Sequence, residues 1–445
     1  MQQHHHWRPL VRLSVPVAAS QVSDMLVHTA DSIMVGTLGA VQLAGVSLAG
    51  SAAMIFMMFA VGMTVAITPL AGEAVGRADL VAAARVGRAG VCTSTIVVSA
   101  IVALLLGASP WFHLLGAESD VNAHALPYLQ WLLPSAIFRI WFGTFKQLAE
   151  ALSNTRVAMI INIGTNVLNI ALNWVFIHGN LGAPALGAEG AGLATFLARG
   201  CAAGAAWWVY RTSGFFRNLR TAMHTTEARA ELRRTMAMVF RTGTGIGLQI
   251  VVEVLGFASG ALMMGWIGAT ALAAHTIALN MASITFMIAL GLGSAATILV
   301  SNLRGEGRFD QAAAAGRTAL TMVLLYEVMV VVVYATLRWQ LPHLYVQDPT
   351  VIDLAATLLL WAGLFSLFDG VQVVSLGVLR GYNDIRIPTI LATVAYLGVA
   401  IPVGYVAAFH FSMGATGVWL GYLVGLSVAS VGYLWRISVV TRRER

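Results

Sequence analysis

Residues 32–51 read SIMVGTLGAVQLAGVSLAGS, and residues 261–280 read ALMMGWIGATALAAHTIALN. Each stretch closes one apolar run and opens the next. Gly36 and Gly39 align with Gly265 and Gly268 at an offset of 229 residues. Working outward, GRAD (Gly76 to Asp79) pairs with GRFD (Gly307 to Asp310), and LGAEGAGLA at 186–194 pairs with MGATGVWLG at 413–421. Three matches in one order at nearly one offset describe an internal duplication.

The repeated unit is a membrane unit. Over 445 residues, 58% are hydrophobic and 10% charged, with 44 Gly and 12 Trp, and the mean hydropathy is +0.79. Apolar runs of about 20 residues recur, the length that crosses a hydrocarbon core of about 30 Å. A β-barrel would alternate apolar and polar residues in segments of about ten, whereas these runs are continuous. The first run reads as a spanning helix rather than a signal peptide, because no small-residue cleavage site follows a short apolar core.

Twelve helices are predicted, over 10–35, 43–72, 86–108, 124–150, 156–178, 188–211, 237–265, 271–302, 314–338, 351–380, 387–410 and 414–436. Arg8, Arg12, Arg77, Arg85, Arg88, Arg156, Arg304, Arg308, Arg317, Arg380 and Arg386 mark alternate loops, as does the terminal TRRER. The other loops, such as GTLGAVQ and GWIGAT, are nearly free of arginine, so the positive-inside rule puts both termini in the cytoplasm. The net charge of +7 follows from these loops, and no nucleic-acid partner is expected. Cys92 and Cys201 lie in apolar runs without a pairing or metal-ligand spacing.

The stretch RTSGFFRNLRTAMHTTEARAELRR at 211–234 is the one long polar segment. It divides the chain into an N-terminal six-helix lobe (1–222), a cytoplasmic linker (223–236) and a C-terminal six-helix lobe (237–445). An even number of helices per repeat gives both lobes one orientation, with a pseudo-twofold axis along the membrane normal. The expected fold is an all-α polytopic membrane protein of two pseudo-symmetric six-helix bundles.

An acid at membrane depth costs about 2.5–3.5 kcal/mol on insertion scales and marks a functional site by default. Asp24 and Asp31 are two helical turns apart, on one face, with His28 between them. Pro16 opens that helix and frees a carbonyl. At the repeat offset Asp24 falls opposite Glu253, and Asp369 gives the second half another acid. Each lobe thus holds a carboxylate pair, either a proton or cation site or a satisfied polar cluster.

Glu150 stands near Lys146 and Arg156, both suited to pair with it. Glu327 is isolated in LLYEVMVVVV. Asn162, Asn166, Asn169 and Asn173 place about one amide per turn, as glue between helices or as neutral oxygens for a cation. His275 reads as a hydrogen-bonded packing residue. Met34, Phe56, Met57, Met58, Phe286, Met287 and Phe365 offer an adaptable apolar surface, or are ordinary core and lipid-facing residues.

Four segments carry a family resemblance: ADSIMVG at 30–36, ALNWVFIHGNLGAPALGAEGAGLAT at 171–195, AAHTIALN at 273–280 and DGVQVVSLGVLRGYNDIRIPT at 369–389. Over essentially its full length the chain resembles the multidrug and toxic compound extrusion (MATE) family, in its NorM-like branch. The resemblance implies an antiporter, not an enzyme, that expels small cationic or amphipathic drugs in exchange for Na⁺ or H⁺ and needs no other cofactor. It implies a multi-pass monomer in lipid, in a bacterial plasma (inner) membrane.

By position, Asp31 looks like the coupling aspartate of the N lobe, with Asn169, Asn173 and Thr195 around it. Asn173 is an Asp in some other branches. Glu253 and Asp369 look like the acidic pair of a C-lobe cation site, where Na⁺ binds in NorM-like members. Asp24 stands where relatives carry Gln, and Phe365 where some carry Tyr. The extra acid at 24 leaves proton coupling open; Glu253 and Asp369 lean towards Na⁺. Met34, Phe286, Met287 and Phe365 are the candidates for a drug cavity.

The mechanism this implies is exchange by linkage. Ion binding in an outward-facing cleft neutralises Asp31, Glu253 and Asp369 and releases the drug, each ligand weakening the other. A flippase for lipid-linked precursors, a related fold, would be expected to line a cationic cavity. An intramembrane enzyme would need a nucleophile–base or metal set such as GxSxG or HExxH, and neither occurs.

Overall fold

In a computed structural model, residues 6–109, 119–223 and 231–444 are described. They form α1 (Trp7–Gly36), α2 (Ala40–Val65), α3 (Ile67–Gly76), α4 (Leu80–Ala108), α5 (Ser119–Ala151), α6 (Thr155–His178) and α7 (Ala188–Thr212). After a short α8 (Arg217–Met223) come α9 (Leu232–Ile267), α10 (Ala269–Gly305), α11 (Phe309–Leu337) and α12 (Pro349–Gly381). The chain closes with α13 (Arg386–Thr393), α14 (Ile401–Tyr405) and α15 (Ala415–Glu444). Because α2 runs on into α3, and α13 into α14, there are twelve long helical spans. Ten are long and apolar enough to cross a membrane. The other two, α5 and α7, contain Arg139, Lys146 and Glu150, and Glu189, Arg199 and Arg211.

The duplication recurs in the backbone. Gly39 and Gly268, the residues just before α2 and α10, take φ 111° and 144° with ψ 166° and 170°. That is glycine territory, and it starts the second helix of each repeat with no more than three residues between it and the first. Ala78 and Gly307, also 229 apart, both take the left-handed conformation. Their turns carry equivalent bonds, Asp79 N to Ala74 O and Arg308 N to Leu303 O, both 3.0 Å. The correct partner of GRAD is therefore Gly305 to Arg308, two residues before GRFD. Gly187 and Gly414, both at φ 58°, lie in the third matched pair.

The chain packs as two compact units. One spans Ala19 to Gly247; the other combines α1 up to Ala18 with the chain from Leu248 onward. The sequence puts the division at 223–236, of which residues 224–230 lie outside the described residues. The packing divides α1 and α9 internally instead. Pro16 does not open α1 but lies inside it, two residues before the change of unit, and removes one hydrogen bond from the ladder. Before it, Leu10 and Leu13 pack with Ala289, Leu292 and Val374 in the second unit.

Candidate functional site

In the unit spanning 19–247, α1 meets α6 through carboxylate–amide bonds. Asn162 Nδ2 and Asn166 Nδ2 donate to the same Asp24 oxygen at 2.7 and 2.9 Å, and Asn166 also reaches Ser23 Oγ at 2.9 Å. Two turns on, Asn173 Nδ2 donates to Asp31 Oδ1 at 2.5 Å and lies 3.3 Å from Asn169 Oδ1. The amide ladder of α6 thus registers with the acid ladder of α1: three asparagines donate to two aspartates, and Asn169 accepts from Asn173. Thr195 instead donates to Ala191 O within its own helix. Met34 is half-buried beside Val35, Ile177 and Ala191.

Two cations share this interior, and their residues passed as ordinary members of the spans in the sequence. Arg199 stands near the middle of α7, donates to Ser135 Oγ on α5 at 2.8 Å, and lies within electrostatic reach of Asp24, Asp31, Tyr128 and Arg139. Arg139, near the middle of α5, acts with Arg199 on His28. The signal that could have found them is depth: both fall midway along predicted spans, where arginine is rare.

In the other unit the acids keep different company. Glu253 on α9 lies beside Tyr396 and in the field of Arg380, while Arg380 reaches Gln249 Oε1 at 3.4 Å. Tyr396 OH lies 3.3 Å from Gln372 Oε1. Tyr396 belongs to the π-helical stretch Val394–Ala400 between α13 and α14, where the wider turn re-aims side chains, a distortion frequent at functional sites.

Asp369 is 6% exposed and Glu327 1% exposed. Asp369 Oδ1 and Glu327 Oε2 have no hydrogen-bond partner. Asp369 lies in the fields of Glu253 and Glu327, so the isolated glutamate of the sequence joins the acidic group of α9 and α12. Gly370 makes room for it: a Cβ there would stand 2.5 Å from Glu327 Oε1.

Phe365 is 3% exposed and packs edge-on against Phe257 and Trp419, with ring centres 6.0 and 5.6 Å away. His275 joins this aromatic cluster, 5.7 Å from Trp419. It is packed as expected, but neither ring nitrogen has a hydrogen-bond partner. Phe286 and Met287 are half-buried. Glu150 is buried on α5 in the field of Lys146.

Among the described residues, twelve long helical spans in two related halves, each half carrying acids within its spans, form the architecture of a secondary transporter. A MatE family model matches twice, over residues 16–175 and 246–406, and the two matches reproduce the duplication. A probable multidrug resistance protein NorM from Rhizobium meliloti is 33% identical over 98% of this chain and 94% of its own. Another NorM, from Agrobacterium fabrum, is 30% identical over 99% and 95%. Among solved structures, the eukaryotic MATE transporter AtDTX14 superposes with a TM-score of 0.88 at 21% identity, covering 100% of this chain and 99% of that one. The chain belongs to the multidrug and toxic compound extrusion family.

Proposed function

We propose that the chain is a secondary antiporter that exports small cationic or amphipathic compounds in exchange for Na⁺ or H⁺ by alternating access. It works as a monomer in a bacterial plasma membrane, with both termini cytoplasmic. One observation carries this reading: Asp369 and Glu327 are buried side chains whose carboxylate oxygens Oδ1 and Oε2 lack partners. Leaving buried acids unsatisfied is costly, and a membrane chain retains them where an ion or proton completes the site.

The donors suit a hard monovalent ion or a proton. Among the described residues no cluster of three or more His, Cys, Asp or Glu is arranged to hold a metal. An ion at Asp369 and Glu253 would complete its shell with neutral oxygens, which Gln372, Tyr396 and backbone carbonyls supply nearby. On the other side, Asp31 is held by one amide of Asn173, which leaves it able to exchange a proton or a substrate ammonium. Substrate and ion then compete or are linked, each weakening the other.

Names of relatives such as multidrug resistance protein NorM and MdtK support the choice of substrate class. The decisive experiment is reconstitution in vesicles with an imposed Na⁺ gradient or an imposed pH gradient, one at a time. Export of a fluorescent lipophilic cation is expected under at least one. Gradient-driven export that survives Asp31→Asn, Glu253→Gln and Asp369→Asn combined would overturn the reading.

A further inference from the structure

The turn that joins α7 to α8 is fixed from its inner side. Phe216 is fully buried, with the rings of Phe145 and Tyr210 centred 5.5 and 5.6 Å away, and Leu219 enters the same core one turn on. Arg220 donates to the carbonyls of Tyr210 and Ser213, the second at 2.9 Å, which caps the last turn of α7 with a cation. Ser213 Oγ accepts from Phe215 N at 3.2 Å. These anchors turn Phe215 outward, 49% exposed and nearly perpendicular to Phe216, with ring centres 5.0 Å apart. Arg217 is exposed two residues further on. On α7 itself Trp207 and Trp208 are 60% and 62% exposed. The Arg211 guanidinium lies 5.1 Å from the centre of the Trp207 ring, a cation–π contact.

Three arginines fall within residues 211–220, and only Arg220 is spent on the backbone. Among the described residues, neither Arg211 nor Arg217 gives its guanidinium to a hydrogen bond or an ion pair. Trp207 and Trp208 stand five and four residues before the end of α7, about 6–8 Å along the helix axis. Because α7 is the sixth long span, these rings sit at interfacial depth, which lipid reaches and a soluble partner does not. We infer that Arg211, Arg217, Trp207, Trp208 and Phe215 form a docking surface for an acidic glycerophospholipid. The planar guanidinium forks match the headgroup phosphate in paired hydrogen bonds, and the rings take the upper part of the acyl chains. A zwitterionic lipid brings an ammonium that the same arginines repel, so the surface selects a net negative headgroup. It lies apart from the acidic sites and is independent of the compound exported.

The test compares phosphatidylglycerol with phosphatidylcholine of the same acyl chains. Binding of each to the full-length protein in detergent is followed by native mass spectrometry, and the quantity read is the ratio of the two affinities for the first lipid bound. Arg211→Gln and Arg217→Gln are each expected to lower the preference for phosphatidylglycerol about fivefold, and the double variant about thirtyfold, the scale of one and two basic residues at an anionic headgroup. Arg443 is exposed at the end of α15 and touches no ring among the described residues. Arg443→Gln removes the same charge from the surface and is expected to leave the ratio unchanged.

An unchanged ratio in the double variant overturns the inference. So does an equal loss in Arg443→Gln, which would mean that diffuse surface charge alone draws the lipid. Displacement of phosphatidylglycerol by an equal concentration of inorganic phosphate would make the surface a free-anion site and overturn the assignment to lipid. Arg211→Gln also uncovers the Trp207 ring; where it fails to fold, Arg217→Gln carries the test alone, since that guanidinium holds no other described residue.

Discussion

Glu327 on α11 lies against Gly370 on α12, so close that a Cβ at 370 would meet Glu327 Oε1 at 2.5 Å and Cγ at 2.6 Å. The neighbouring residue is Asp369, and the glycine is what brings the two acids together. Gly370→Ala is therefore expected to push Glu327 away and to destabilise the protein by about 1–3 kcal/mol, the usual cost of overpacking. In a Glu327→Ala background the same substitution should cost less than half as much, because the clashing atoms are gone. Thermal unfolding of the four proteins of this cycle in detergent measures the coupling. Equal costs in both backgrounds would show that the contact does not constrain Glu327.

Asp24 is the acceptor for two amides at one oxygen. Asp24→Asn retains a carbonyl oxygen for Asn162 and Asn166, so its stability is expected to fall by less than about 1 kcal/mol. Asp24→Ala strands both part-buried amides and is expected to lose about 1–2 kcal/mol, towards the lower end of the cost of an unsatisfied donor. If the two variants unfold at the same temperature, the amide ladder does not hold α1 to α6. Transport separates structure from coupling: an Asp24→Asn protein that folds but loses pH-dependent export assigns the negative charge a role beyond anchoring the helix.

The sequence makes the helices, the duplication and the polar faces of α1 and α6 legible, because each is a local pattern. Periodicity puts Asp24 and Asp31 on one face, and the spacing of the four asparagines matches it. What escapes is pairing across helices. Glu327 looks isolated because its neighbour Asp369 lies on the next helix of the bundle and nothing in LLYEVMVVVV points to it. Arg139 and Arg199 were hidden by the rule that explains the other arginines: the positive-inside bias accounts for loop arginines and draws attention away from those at mid-span. The register of GRAD departs from letter identity for a related reason. Identity of letters favours GRFD, whereas the backbone matches positive-φ turns, and Gly307 is equivalent to Ala78.

Thr297 on α10 donates its hydroxyl to Gly377 O on α12 at 2.8 Å, with both groups buried. In lipid the attraction between helices comes from close packing and from such bonds, each worth about 0.6 kcal/mol on average and up to about 1.7. Thr297→Val keeps the shape and removes the donor. Its unfolding free energy is expected to drop by about 1 kcal/mol, and Thr297→Ser is expected to stay within about 0.5 kcal/mol of the unmutated chain. A valine variant as stable as the unmutated protein would mean that this hydrogen bond contributes nothing net to the packing of α10 on α12.

Ala78 holds φ 57° between α3 and α4, where the equivalent residue of the second repeat is Gly307 at φ 73°. A side chain in that region costs about 1–2 kcal/mol, and the glycine of the second repeat avoids it. Glycine also gains more freedom on unfolding, which offsets part of the benefit. Ala78→Gly is therefore expected to stabilise the protein by about 0.5–1 kcal/mol, and Gly307→Ala to destabilise it by a similar amount. The turns are the same in bonding, so the two shifts should be near mirror images. Differential scanning calorimetry in detergent reads both. A destabilised Ala78→Gly would mean that the alanine methyl makes contacts that outweigh its backbone strain, and the two turns would then be equivalent in geometry but not in energy.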